Sequence, residues 1–189
     1  MTNEHFIKLK KYGLVTKRLE NNIKNSPRDA ELQMIVASFL LDNGFELEKL
    51  ETGYNGKPRD IIVKNPFTII ETINMKDEEI LRDAKPLQVI NAGTINLQRI
   101  CDRILEKISQ LKGVSPAILI FGVPPFTEKD EFDDFFYVNK DIWQFPDNID
   151  MFIEWRNKKV EFYIVNPNKK PSEESLAAWF QKFTTHSQR

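Results

Sequence analysis

At 189 residues, 41% hydrophobic and 29% charged, the chain has the length and composition of one soluble folded domain that needs no disulfide staples. Its 27 basic and 28 acidic residues nearly cancel, which excludes a general pull toward nucleic acid or anionic membrane and leaves only local basic surface for such partners. No apolar run approaches the ~20 residues of a membrane helix, and the N-terminus lacks a secretion signal's charged-then-apolar layout, so a cytoplasmic protein without membrane contact is expected.

Residues 5–24 carry Phe6, Leu9, Tyr12, Val15, Leu19 and Ile23 near helical spacing, with Gly13 interrupting, which predicts one broken helix or two short ones. Ser26-Pro27 then opens a strong helix, with Ser26 as N-cap, Asp29 reaching back to it, and Gly44 as the stop. Its apolar positions are Leu32, Ile35, Val36, Phe39 and Leu40. A three-strand meander is expected next: Phe45–Glu51 with alternating character, then Arg59–Val63 and Phe67–Ile73 as a hairpin around Lys64-Asn65-Pro66.

Polar residues 74–93 separate the meander from a second strong helix, 94–111. Its expected stripe is Leu97, Ile100, Cys101, Ile104, Leu105, Ile108 and Leu111, with Lys107 among the residues of the opposite face. Pro116–Val123 is a continuous apolar run of the kind found in strands covered on both sides. A helix feeding such a strand is a crossover, so part of the sheet should be parallel. Residues 128–134 form an acidic loop without the spacing or glycine of a calcium-binding loop. Ile149–Trp155 and Val160–Val165 predict a further hairpin, and Pro171–Phe183 a closing helix. The expected architecture is α/β: a mixed central sheet flanked by helices, with an N-terminal helical extension (1–25), a core (26–123) and C-terminal β elements plus a helix (124–189).

Cys101 stands alone on an apolar stripe, which reads as a buried thiol. His5 and His186 lie near the ends of the chain, so zinc sites and Ser-His-Asp triads, which need an imidazole in a rigid shell, are disfavoured. Carboxylate-plus-metal chemistry survives. Asp60 and Glu71 lie on paired strands, where cross-strand geometry brings their carboxylates to a common face. Both are flanked by isoleucines, in Asp60-Ile61-Ile62-Val63 and Ile69-Ile70-Glu71. Two carboxylates in apolar surroundings invite a hard divalent cation with oxygen ligands.

The element order, Pro58-Arg59-Asp60 on the second strand and Glu71-Thr72-Ile73 on the third resemble the PD-(D/E)XK nuclease superfamily, which has the restriction-endonuclease-like fold. The resemblance spans roughly residues 26–123. It implies a Mg²⁺- or Mn²⁺-dependent nuclease acting on DNA, with Glu31, Asp60, Glu71 and the Thr72 carbonyl around the metal. The family's lysine position holds Ile73, which can neither orient a water nor stabilise charge on a phosphate. Lys76, Arg99 or Arg103 would then supply the missing cation. The alternative is a catalytically inactive interaction module on the same fold. Under it, Asp60 and Glu71 are surface ion-pair partners of Lys57 and Arg59, and Glu31 complements a helix dipole. The aromatics Phe135, Phe136, Tyr137, Trp143, Phe145, Phe152 and Trp155 are read as core, with a stacking surface for nucleic acid as the alternative; the tryptophans of this half suggest a homodimer or protein-partner surface.

Overall fold

The computed structural model describes residues 4–74, 103–122, 147–156, 159–166 and 168–187. The N-terminal periodicity resolves into two helices, α1 (Glu4–Lys11) and α2 (Lys17–Asn25), which Gly13 separates at a φ of 70°. Thr16 caps α2 by accepting from the Leu19 amide at 3.2 Å. Helix α3 (Pro27–Asp42) starts with Pro27 in its first turn, but the expected Ser26 cap makes no side-chain hydrogen bond. Asp29 instead faces Arg103 across 3.8 Å.

The expected meander is altered in two places. Phe45–Glu51 contributes a single bridge, Leu47 against Val63, with the Glu48 amide donating to the Ile62 carbonyl at 2.9 Å. The chain then turns back on itself as a short hairpin, β1 (Thr52–Tyr54) and β2 (Lys57–Arg59). Its turn is Asn55-Gly56, with φ of 51° and 75°, the two positive values that a tight hairpin turn requires. A bend at Asp60 separates β2 from β3 (Ile61–Lys64), so the aspartate sits at the mouth of a strand rather than within one.

Strand β3 pairs antiparallel with β4 (Phe67–Asn74), from Ile61 opposite Ile70 to Lys64 opposite Phe67. Residues 103–110 form helix α4, the described part of the expected second helix. It returns the chain to β5 (Ala117–Gly122), parallel to β4 as the crossover predicted. Strand β6 (Ile149–Arg156) lies parallel to β5, and β7 (Lys159–Val165) closes the edge antiparallel to β6. The result is a five-stranded mixed sheet in the order β3-β4-β5-β6-β7. The final helix, α5 (Leu176–Ser187), buries Leu176, Ala177 and Phe180. This is the mixed α/β architecture expected from the sequence.

Strand periodicity sorts the core into two layers. Ile61, Val63, Ile70, Ile118, Ile120, Met151 and Ile153 face α1, α2, α3 and α5. Ile62, Ile69, Ile73, Leu119, Phe121 and Phe152 face Ile104 and Leu111 at α4. β5 is buried at every position, which explains its unbroken apolar sequence. Trp155 and Phe152 are core residues here, with Trp155 edge-on to Phe39 at 5.1 Å. The stacking-surface alternative therefore fails for those two aromatics.

Lys76, Arg99, Cys101, Phe135, Phe136, Tyr137, Trp143, Phe145 and the acidic loop, with the expectations placed on them, lie outside the described residues. Among the described residues no helix is long and apolar enough to cross a membrane.

Candidate functional site

The β3–β4 ladder ends at Ile61 and Ile70, and that ending builds the site. One step further, the register puts Asp60 opposite Glu71, on the sheet face that packs against α4. The next outward amide of β4, at Thr72, has no strand to pair with. The Asp60 side chain takes that role: its Oδ2 accepts from the Thr72 amide at 2.7 Å and from the Thr72 hydroxyl at 2.9 Å. Gln33 of α3, buried, donates its side-chain amide to the Asp60 carbonyl at 2.6 Å and fixes the bend from the other side.

Glu71 is 2% exposed, yet its carboxylate is matched by two cations. Lys107 of α4 donates to Oε2 at 2.8 Å, and its ammonium lies 3.6 Å from Asp60 Oδ2. Arg59, equally buried at the end of β2, reaches Oε1 at 3.5 Å and donates to the Gln110 carbonyl at 3.1 Å. The four formal charges cancel. Such a balance is what permits two carboxylates to share an apolar layer, since an unpaired one would carry a heavy desolvation cost.

Burial, followed by the nearby Asp60 charge, raises the Glu71 pKa above the usual carboxylate value, even against the pull of Lys107 and Arg59. For Lys107 burial works to lower the pKa, but Asp60 and Glu71 together outweigh it and hold it above 10.5. Lys107 therefore stays protonated through the physiological range. A raised lysine pKa contributes stability that is complete below the unfolded-state value and lost as pH climbs through the folded-state one. The thermal midpoint should accordingly fall above pH 10.5, and Lys107→Met should flatten that fall in melts taken from pH 9 upward.

Asp60 and Lys107, but not the buried Glu71 and Arg59, open into a pocket of about 200 Å³ lined also by Asn22, Asp29, Gln33, Glu51, Thr72 and Arg103, among others. Of the predicted site residues, Asp60 and Glu71 converge as the strand register required, with Thr72 between them. Glu31 does not join them. Asp29, Ala30 and Gln33 are the α3 residues that reach the pocket, while Glu31, about 200° round the helix from Asp29 and Gln33, is exposed to solvent. Arg103 is at the rim, donating to the Asn74 carbonyl at 3.1 Å.

Two residues of the site were not singled out by the sequence. Hydrophobicity places Lys107 on the solvent face of its helix and Leu105 in the core; the structure reverses them, with Leu105 48% exposed. The signal was present, since Ile104, Lys107, Ile108 and Leu111 form an i, i+3, i+4, i+7 stripe with a lysine in it. Glu51 is the other, its carboxylate held by Arg18 at 3.1 Å and Asn22 at 2.8 Å.

Does this donor set suit a divalent ion? Among the described residues Asp60 Oδ1 enters no hydrogen bond or ion pair, and it belongs to a residue that lines the pocket. No cluster of three or more His, Cys, Asp or Glu suited to a metal occurs among the described residues. Two carboxylates match the sparse protein ligation of magnesium, which keeps several waters and takes further oxygens from a substrate phosphate. Of the two, only Asp60 brings a spare carboxylate oxygen to the pocket; both Glu71 oxygens are held by Lys107 and Arg59, so an ion using Glu71 would have to displace Lys107.

Comparison with known proteins adds little to this geometry. No family model matches the chain, and no curated protein matches it either. One solved structure that resembles it is the CdiA-CT/CdiI toxin and immunity complex from Burkholderia pseudomallei. The two share 10% identity over 75% of this chain and 87% of that one, at a TM-score of 0.45.

Proposed function

We propose that the chain is a divalent-metal-dependent nuclease that cleaves DNA phosphodiesters, with Asp60 and Glu71 as the metal carboxylates and Lys107 as the cation that Ile73 cannot be. The observation behind this reading is the ammonium of Lys107, 2.8 Å from Glu71 and 3.6 Å from Asp60 at the wall of a pocket. Lys107 arrives from the neighbouring helix, so the expected lysine is replaced in space although not in sequence. Ile73 is buried against α4, where a lysine would have no water to reach.

The Thr72 carbonyl is a further ligand under this proposal. A bound ion would lower the pKa of its water and offset charge developing on the phosphate. The side chains supply the rest. A permanently protonated Lys107 acts by stabilising anionic oxygen, not by removing a proton. A pocket of about 200 Å³ is below the ~300–1,000 Å³ of a typical small-molecule site, in keeping with one phosphate of a longer strand.

A second reading rests on the same charge balance: a closed ion network in a binding module without catalysis. Labelled single-stranded and duplex DNA, incubated with Mg²⁺ or Mn²⁺ and with EDTA, tests the first. Cleavage that requires the metal and stops with EDTA is expected. If neither strand form is cut and calorimetry finds no Mn²⁺ uptake, the nuclease reading is wrong and the module reading stands.

A further inference from the structure

Glu51 is an unusual residue for a loop between a bridge and a hairpin. Its φ is 58°, in the left-handed region that glycine tolerates and a long side chain rarely adopts. Such a conformation is strained and persists only where surrounding contacts over-determine it. Those contacts are evident. The carboxylate is 7% exposed and gripped by two residues of α2, the Arg18 guanidinium at 3.1 Å and the Asn22 amide at 2.8 Å. On the other side, the backbone amide of Glu51 donates to the Asp60 carbonyl at 3.3 Å.

The Asp60 carbonyl thus receives two donors, Gln33 from α3 and the Glu51 amide, while the Asp60 side chain holds Thr72. At Glu51 the chain is anchored on both sides, by its amide on the Asp60 carbonyl and by its carboxylate on α2, with the left-handed φ between them. The side-chain grip from α2 is what holds that turn. Without the grip, Glu51 is free to relax toward ordinary φ values, and one of the two anchors on the bend swings away.

We infer that Glu51 is a positioning residue for Asp60, clamped by Arg18 and Asn22 so that the N-terminal helix α2 sets the geometry of the carboxylate pair. The inference deepens the nuclease reading, on which its catalytic consequence rests. It also makes α2, which the sequence presents as an extension, part of the working site: Asn22 and Ser26 line the same pocket as Asp60 and Lys107.

The test uses the full chain carrying Glu51→Gln or Arg18→Ala, the latter removing a side chain that is 58% exposed and so sparing the fold. The first readout is hydrogen exchange at the Thr72 amide in protein without added metal, with Ile70 on the same strand as the internal reference. Exchange at Thr72 should quicken about tenfold in both variants while Ile70 is unchanged, because only the first amide depends on where Asp60 sits. The second readout is Mn²⁺-dependent cleavage of DNA. There kcat should drop on the order of 10- to 100-fold with KM nearly constant, as misplacing a reacting group by about 1 Å can do. Wild-type exchange at Thr72 in both variants would overturn the inference, as would equal acceleration at Ile70, which signals general loosening. Quickened exchange at Thr72 in a protein that cuts no DNA at all would retain Glu51 as the clamp on Asp60 and remove the nuclease reading instead.

Discussion

Asp60→Asn should lower metal-dependent cleavage on the order of 10³-fold and leave the thermal midpoint within about 2 °C of wild type. The separation follows from the two tasks of this side chain. As a structural acceptor it receives the Thr72 amide and hydroxyl at Oδ2, and an asparagine oxygen can still accept both. As a metal carboxylate it contributes charge, which asparagine lacks. Asp60→Ala removes both tasks at once. The Thr72 amide, in a residue only 6% exposed, then loses its acceptor at a cost of about 1–3 kcal/mol, so the midpoint falls together with activity. Rates with Mn²⁺ and thermal scans on the two variants check this pair. Full cleavage by Asp60→Asn would show that the bend aspartate is only the end-stop of a strand ladder.

The fold could be read from the sequence wherever burial was complete on one face or both. The all-apolar Ala117–Gly122 run specified a central parallel strand, and Pro27–Asp42 with its stop at Gly44 specified a helix. The convergence of Asp60 and Glu71 followed from pairing register alone. What escaped was set by neighbours distant in sequence. Glu46–Glu48 alternates like a strand but makes one bridge, because the chain departs at once into the β1–β2 hairpin. Nothing in Leu50-Glu51-Thr52 announces a left-handed glutamate, and the partners of its carboxylate, Arg18 and Asn22, come from a helix distant in sequence.

Lys107 is the more instructive case. Leucine at 105 and lysine at 107 invite a hydrophobicity-based assignment of faces, which puts the lysine in water. The helix instead turns Ile104, Ile108 and Leu111 inward with Lys107 among them, because Asp60 and Glu71 across the interface provide partners for its charge. A cation within an apolar stripe was a sign of a buried acid on the facing element. In the same way Ile73, which breaks the resemblance to the nuclease motif, is what the packing of α4 demands: it lies in the layer with Ile69 and Ile104.

Lys107→Met should move cleavage and metal affinity in opposite directions. Methionine keeps the length and the apolar stem, so the contact with α4's neighbours is largely preserved. The lost ammonium is a donor to anionic oxygen, and removing one such donor from an active site costs on the order of 10²–10³-fold in rate. The same ammonium competes with any cation for the two carboxylates, lying 2.8 Å from one and 3.6 Å from the other. Its removal leaves Asp60 and Glu71 against Arg59 alone, so calorimetric titration should find Mn²⁺ bound about tenfold more tightly than in wild type, a fraction of the several kcal/mol of repulsion between charges at this range. Lys107→Arg should restore neither property, because a planar guanidinium presents its charge in a different place from a compact ammonium. A purely structural ion network predicts the reverse for the metal: Lys107→Met would lose stability, Glu71 would take up a proton in place of its partner, and Mn²⁺ would bind no better than before.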